Sequence, residues 1–317
     1  MNVLVTGGAG FIGREVCKQL LAKGHTVRVA DNLSKTGQEP EGVEFLNGDL
    51  TVQENADRAM EGIDVCLHLA AKVGGVGYMS QKPATILDGS LKLLSAVFEA
   101  AKKAGTKRVV VASSSMVFAD TDRFPSKESD VGEIPPPKNI YGFSKLVTEY
   151  YARAYAEEFG VNYTIIRPFN CYGVNSYLHE EVGYANVIPD FIRKILAGGT
   201  MEMLGDGEQT RCFTHVTDMA RGFILAAESE KAVNKSFNIG SNQEITMMDL
   251  AKKIFTLSGQ EGTLEVKHVK EFKHDVRRRV PDNTKATETL NWEPTKNFDE
   301  GLKEMIAWIR ELPVQQV

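Results

Sequence analysis

The chain has 317 residues, with 37 basic and 42 acidic side chains and a formal net charge of −5. That length holds one large core or two modest domains, and the charge argues against a broad non-specific nucleic-acid surface. The four cysteines, Cys17, Cys66, Cys171 and Cys212, are widely spaced with no CxxC pair, so neither a disulfide framework nor a zinc site is indicated and no metal is expected. No run approaches the roughly 20 apolar residues that span a bilayer. The N-terminus shows no basic and apolar leader, so a cytoplasmic protein with no membrane partner is expected.

Residues 1–6 read as a short apolar strand, followed by Gly7, Gly8, Gly10 and Gly13 and a helical run from Phe11 to Ala22. A second strand, His25 to Ala30, ends at Asp31. In a dinucleotide site Gly7 allows the turn, Gly10 lets backbone approach a pyrophosphate, and Gly13 lets helix and strand pack closely. The helix N-terminus then offers unpaired N–H groups to phosphate. Asp31, roughly 20 residues past the loop, suits a ribose 2′-hydroxyl and repels a 2′-phosphate, which favours NAD over NADP.

Strand and helix signals go on alternating to about residue 170: strands at 43–46, 64–69, 107–112 and 163–167, helices at 53–60, 83–104 and from Tyr141 to Phe159. This rhythm predicts a Rossmann-type, doubly wound parallel sheet with helices on both faces. After Pro168 the pattern loosens. Helices are expected at 187–196, 217–227 with Thr217 as cap, 246–258 and 302–312, and extended segments at 201–204, 211–216, 236–239 and 264–269. The expected division is an NAD-binding domain over 1–168, rejoined by about 205–240, and a smaller α/β substrate domain over most of 169–317.

Tyr141 and Lys145 are four residues apart at a helix start and share one face, and Ser114 ends a strand that would lie beside them. A tyrosine hydroxyl ordinarily titrates near 10. A neighbouring ammonium, a nicotinamide cation and a helix N-terminus would each favour the phenolate. Such a tyrosine can take a proton from a sugar hydroxyl as hydride leaves the same carbon, with Ser114 holding that hydroxyl.

These residues carry a resemblance to the extended short-chain dehydrogenase/reductases, specifically the NAD-dependent sugar-nucleotide epimerases and dehydratases. The matching runs are Gly7-Gly8-Ala9-Gly10-Phe11-Ile12-Gly13, Asp31-Asn32-Leu33, Asp49-Leu50, His68-Leu69-Ala70-Ala71, Ser113-Ser114-Ser115, Tyr141-Gly142-Phe143-Ser144-Lys145 and Arg167-Pro168-Phe169-Asn170-Cys171-Tyr172-Gly173. The resemblance implies that Asp31 and Asn32 meet the adenosine ribose and that Asp49 and Leu50 flank the adenine. It also implies that Leu69, Ala70 and Ala71 line the cofactor and that Lys145 meets the nicotinamide ribose. Lys72, Gly74, Ser115, Met116, Asn170, Val187, Arg193, Arg211 and Arg279 fall at substrate positions. A sugar diphosphate is matched by guanidinium forks in any case, although Arg277-Arg278-Arg279 also reads as a solvated basic face. The family tends to form homodimers through helices represented by about 83–104 and 142–159.

The reaction follows from departures. Dehydratases of this kind place an Asp-Glu pair just after the catalytic Ser or Thr, and this chain has Ser115 and Met116 there. The runs Ala71-Lys72-Val73-Gly74-Gly75 and Val276 to Asn283 resemble GDP-fucose synthase and GDP-mannose 3,5-epimerase, which use a cysteine at the Met116 position. The remaining expectation is 4-epimerisation, with a UDP-sugar favoured; a 3,5-epimerase-like or reductase-like reaction on a GDP-sugar, or an unusual dehydratase or decarboxylase, are the alternatives. His179, Glu180 and Glu181 lie in a loop that reads as a solvated lid or as a further acid or base. A non-enzymatic NAD-binding regulator is the reading from a different class.

Overall fold

Val3, Leu4 and Val5 are almost wholly buried, which places β1 (Asn2–Thr6) inside a sheet covered on both faces. The computed structural model describes residues 1–35, 38–71, 81–176, 186–271 and 276–312. The strands that follow are β2 (Thr26–Asp31), β3 (Glu44–Asn47), β4 (Val65–His68), β5 (Arg108–Ala112), β6 (Asn162–Pro168), β7 (Cys171–Tyr172), β8 (Met201–Leu204), β9 (Thr210–Cys212), β10 (Thr214–His215), β11 (Lys235–Ile239), β12 (Glu244–Thr246) and β13 (Val266–Val269). Seven of them form one parallel sheet in the order β11-β6-β5-β4-β1-β2-β3. The order reverses between β1 and β4, the point where open sheets of this kind leave a crevice beyond the strands' carboxyl ends.

Parallel neighbours need crossovers, and helices are part of those other than the one from β2 to β3. The helices are α1 (Phe11–Ala22), α2 (Gln53–Met60), α3 (Pro83–Ala104), α4 (Ile140–Phe159), α5 (Val187–Leu196), α6 (Val216–Glu228), α7 (Met247–Leu257), α8 (Thr284–Leu290) and α9 (Phe298–Glu311). One face of the sheet is covered by α1 and α6, with Leu290 and Trp292 added at the side. The other face is covered by α2, α3 and α4. A third core joins Ile192, Met203, Leu250 and Ile306 from α5, β8, α7 and α9. The doubly wound sheet with smaller C-terminal elements is the predicted fold class. Among the described residues no helix is long and apolar enough to cross a membrane.

Three local expectations are corrected. Residue 216 opens α6 instead of closing an extended run, and the cap is His215, not Thr217: the His215 ring accepts from the Thr217 amide. The last helix starts at Phe298 because Asn297 caps the Asp299 and Glu300 amides. Helix α8 was not anticipated; it is short, and much of its burial comes from Ala286 and Leu290 packing against the sheet core.

Candidate active site

The glycine loop, Asp31, Leu69–Ala71, Ser114 and Asn170 lie at or just after the ends of β1, β2, β4, β5 and β6. The Gly7 amide donates to Ala30 O at 2.9 Å, and its φ of +69° suits glycine. A Cβ on Gly13 would lie 2.3 Å from the Gly7 carbonyl oxygen, so only glycine lets α1 approach the loop this closely. Gly10 caps α1 with no side-chain bond, and no acid stands in the first turn that Phe11 and Ile12 open. The first turn of α1 therefore offers its backbone donors with no acid of its own, which fits a pyrophosphate. Asp31 accepts from the Ala9 amide at 3.1 Å and from the Leu33 amide at 2.8 Å, so one carboxylate ties the loop to the end of β2. Asn32 is exposed and turns back on Ser34, while Asp49 caps Thr51 beside buried Leu50. Leu69 and Ala70 are held by Thr6, through its carbonyl and its hydroxyl, with Ala71 next in the chain. Lys72 and Gly74 lie outside the described residues, as do His179, Glu180 and Glu181.

Ser114 leaves β5 in an extended conformation and caps a 3₁₀ turn, Ser115–Phe118, by accepting from the Met116 amide at 3.1 Å. Helix α4 starts directly against that turn. Asn139 caps it through the Gly142 amide at 2.7 Å, and a Cβ on Gly142 would lie 2.5 Å from the Met116 carbonyl oxygen. This close approach brings the Tyr141 phenol beside the Ser114 hydroxyl, whose presence favours the phenolate. Lys145, one turn on, is buried and donates to Ala112 O at 2.7 Å.

Burial pushes the Lys145 ammonium down to about 8. Burial also raises the Tyr141 phenol, against the lowering effects of Ser114 and the Arg279 charge. The polypeptide alone thus holds the phenol neutral, contrary to the expectation that Lys145 would draw it down. The ammonium lies 5.9 Å from the ring centroid and is bonded to a carbonyl.

Asn170 follows β6 in a left-handed conformation, which asparagine tolerates. Its amide donates to Cys212 O at 2.9 Å, and its oxygen accepts from Arg279 Nη1 at 3.0 Å. Arg211, on β9, is buried and donates to Thr210 O at 2.7 Å. The arginine run divides. Arg277 grips Asp206 and Arg278 grips Glu244, each with a two-pronged fork on exposed surface. Only Arg279 turns toward Asn170 and Tyr141. Val187 and Arg193 are half-buried on the first two turns of α5, and half-buried Met116 follows buried Ser115.

Sequence reasoning assigned no role to Glu149, Arg167 or Ser113. Ser113 Oγ donates to Glu149 Oε1 at 2.6 Å, and Arg167 forks onto the same carboxylate at 2.8 and 2.7 Å. The available signal was the spacing of Tyr141, Lys145 and Glu149, four residues apart on one helix face.

The sequence profile of the NAD dependent epimerase/dehydratase family matches residues 3–240. The UDP-N-acetyl-alpha-D-glucosaminuronate decarboxylase of Bacillus cytotoxicus is 33% identical, covering 98% of each chain. The GDP-mannose 3,5-epimerase of Arabidopsis thaliana is 31% identical over 98% of this chain and 82% of its own length. The crystal structure of the UDP-glucose 4-epimerase of Thermotoga maritima with UDP-glucose superposes with a TM-score of 0.88 at 33% identity, covering 98% of this chain and 99% of the other.

Proposed function

The chain belongs to the NAD dependent epimerase/dehydratase family; it is an enzyme that uses NAD and acts on nucleotide-linked sugars, and from that premise we propose that it interconverts C4 epimers of a nucleotide-diphosphate hexose or hexuronic acid through a transient 4-keto sugar. The observation that carries this reading is Met116, two residues after Ser114 in the turn whose backbone packs against Gly142, the residue after Tyr141. A thioether neither donates nor removes a proton. Dehydration and 3,5-epimerisation each need such a group at carbon, whereas 4-epimerisation needs one proton taken and returned at one oxygen.

In this reading Gly7, Gly10, Phe11, Ile12 and Gly13 hold the pyrophosphate, and Asp31 and Asn32 the adenosine ribose. Asp49, Leu50 and Leu69–Ala71 line the remainder, and Lys145 meets the nicotinamide ribose. Bound NAD supplies a reversible acceptor for the hydrogen at C4. Tyr141 Oη takes the C4 hydroxyl proton while Ser114 orients that hydroxyl. The ketone turns over in the pocket and Tyr141 returns the proton. Arg211, Arg279 and Asn170 hold the diphosphate, and Lys72, Gly74, Ser115, Met116, Val187 and Arg193 surround the nucleotide and sugar. Exposed Leu91 on α3 and exposed Phe143 and Tyr150 on α4 support a homodimer through these helices.

The similarity to a uronate decarboxylase favours one second reading. A 4-keto uronic acid carries its carboxylate β to the ketone and can lose it as CO₂. Incubation with UDP-, GDP-, dTDP- and CDP-sugars in D₂O, followed by NMR, tests both. A C4 epimer with no solvent deuterium on carbon is the expected product. CO₂ release from a uronate substrate establishes the second reading, and deuterium at C3 or C5 of an epimer overturns the first.

A further inference from the structure

Glu149 and Arg167 form an ion pair in which neither side chain has exposed surface. Removing two charges from water is costly, and an apolar pair of similar volume is often as stable or more so. The pair therefore calls for a reason other than stability, and its contacts supply one. Glu149 stands one turn beyond Lys145 and two beyond Tyr141 on α4. Its Oε1 accepts from Ser113, the residue before Ser114, at 2.6 Å. The Arg167 guanidinium lies 5.2 Å from the centroid of Phe118, which closes the 3₁₀ turn capped by Ser114. It also reaches Glu128 O at 3.3 Å, and Glu128 accepts from the Asn238 amide at 2.7 Å. Arg153 Nη2 touches Glu149 Oε2 at 3.3 Å from the outer side.

We propose that the Glu149–Arg167 pair is a positioning device for the acid–base site, setting the Ser114 strand end against the Tyr141 helix through the Ser113 hydroxyl. Without that bond, the strand end and α4 keep the Lys145–Ala112 bond on one side of the site, but Ser114 and Tyr141 themselves are held together only by packing that must also open to admit a substrate hydroxyl. A buried two-pronged ion pair restricts distance and angle together, which apolar packing does less well. The proposal rests on Tyr141 and Ser114 acting as described above.

The test uses the NAD-loaded enzyme, with turnover normalised to bound NAD so that loss of folded protein does not register. Ser113→Ala leaves Glu149 its contacts with Arg167 and Arg153. It is expected to lower kcat roughly tenfold, because small misplacements of reacting groups are costly, while KM for the sugar nucleotide and Kd for NAD stay within about twofold. The double variant Glu149→Met, Arg167→Met removes both charges together. It is expected to keep its Tm and NAD affinity and to lose roughly 10²-fold in kcat. A Ser113→Ala kcat within about twofold of the parent overturns the proposal whether or not the double variant folds. Tyr141→Phe is measured alongside: if it stays active, the acid–base reading has failed; if it is inactive while Ser113→Ala is normal, only the positioning role has failed.

Discussion

Lys145 Nζ donates to the Ala112 carbonyl at 2.7 Å and lies 5.9 Å from the Tyr141 ring centroid, so the lysine is fixed to the strand end and not to the phenol. This division of labour separates the effects expected from changing each residue. Tyr141→Phe keeps the ring and its packing but removes the proton carrier. Turnover should fall by roughly 10²–10⁴-fold with NAD still bound, and Ser114→Ala should lose less. Steady-state kinetics with NAD titration on each variant checks this.

Lys145 also predicts a pH effect. Its folded pKa of about 8 lies below the ordinary value of 10.5, so between these values the unfolded chain holds the additional proton. The burden of charging a buried amine is therefore fully present below about 8 and is relieved as pH rises toward the unfolded value. Lys145→Met removes this dependence. Thermal unfolding across pH 7–10 should show wild type gaining Tm relative to the variant as pH rises, and a constant difference would refute it.

Asp31 grips both the glycine loop and the end of β2, through Ala9 and Leu33. Asp31→Ala should weaken NAD binding about tenfold or more and narrow the preference over NADP, because a repelling carboxylate is lost. Titration of both dinucleotides decides it; an unchanged preference would remove Asp31 from discrimination.

The three consecutive arginines should behave differently. Charged hydrogen bonds are worth about 1.5–3 kcal/mol, so Arg279→Ala should raise KM for the sugar nucleotide about 10- to 150-fold and leave NAD affinity near normal. Arg277→Ala breaks an exposed pair with Asp206 and should change KM little. Equal effects from the two variants would mean that Arg279 supports the local fold and not the substrate.

Gly13→Ala should abolish NAD binding or folding, since the added Cβ would lie 2.3 Å from the Gly7 carbonyl oxygen, a backbone atom with little room to yield. Gly24→Ala meets nothing within 4 Å and should bring only the strain of its positive φ. Circular dichroism and NAD titration separate the two.

The parts legible in the sequence are those governed by short-range rules. The glycine loop, the strand and helix rhythm, and the shared face of Tyr141 and Lys145 all follow from spacings within a few turns of chain. The same holds for α5, whose bounds match the apolar period at Val187–Leu196. Tertiary structure decided what depends on distant partners. It set β11 beside β6, divided Arg277, Arg278 and Arg279 between two surface pairs and one inward contact, and joined Asn170 to an arginine 109 residues away. It made His215 a cap and closed Glu149 on Arg167 beneath the site. Within the polypeptide alone burial raises the Tyr141 phenol, because desolvation depends on the whole surrounding fold and leaves no mark in the local sequence. Periodicity reports which face of an element is apolar; it carries no information about which charged group from elsewhere in the chain will meet that face.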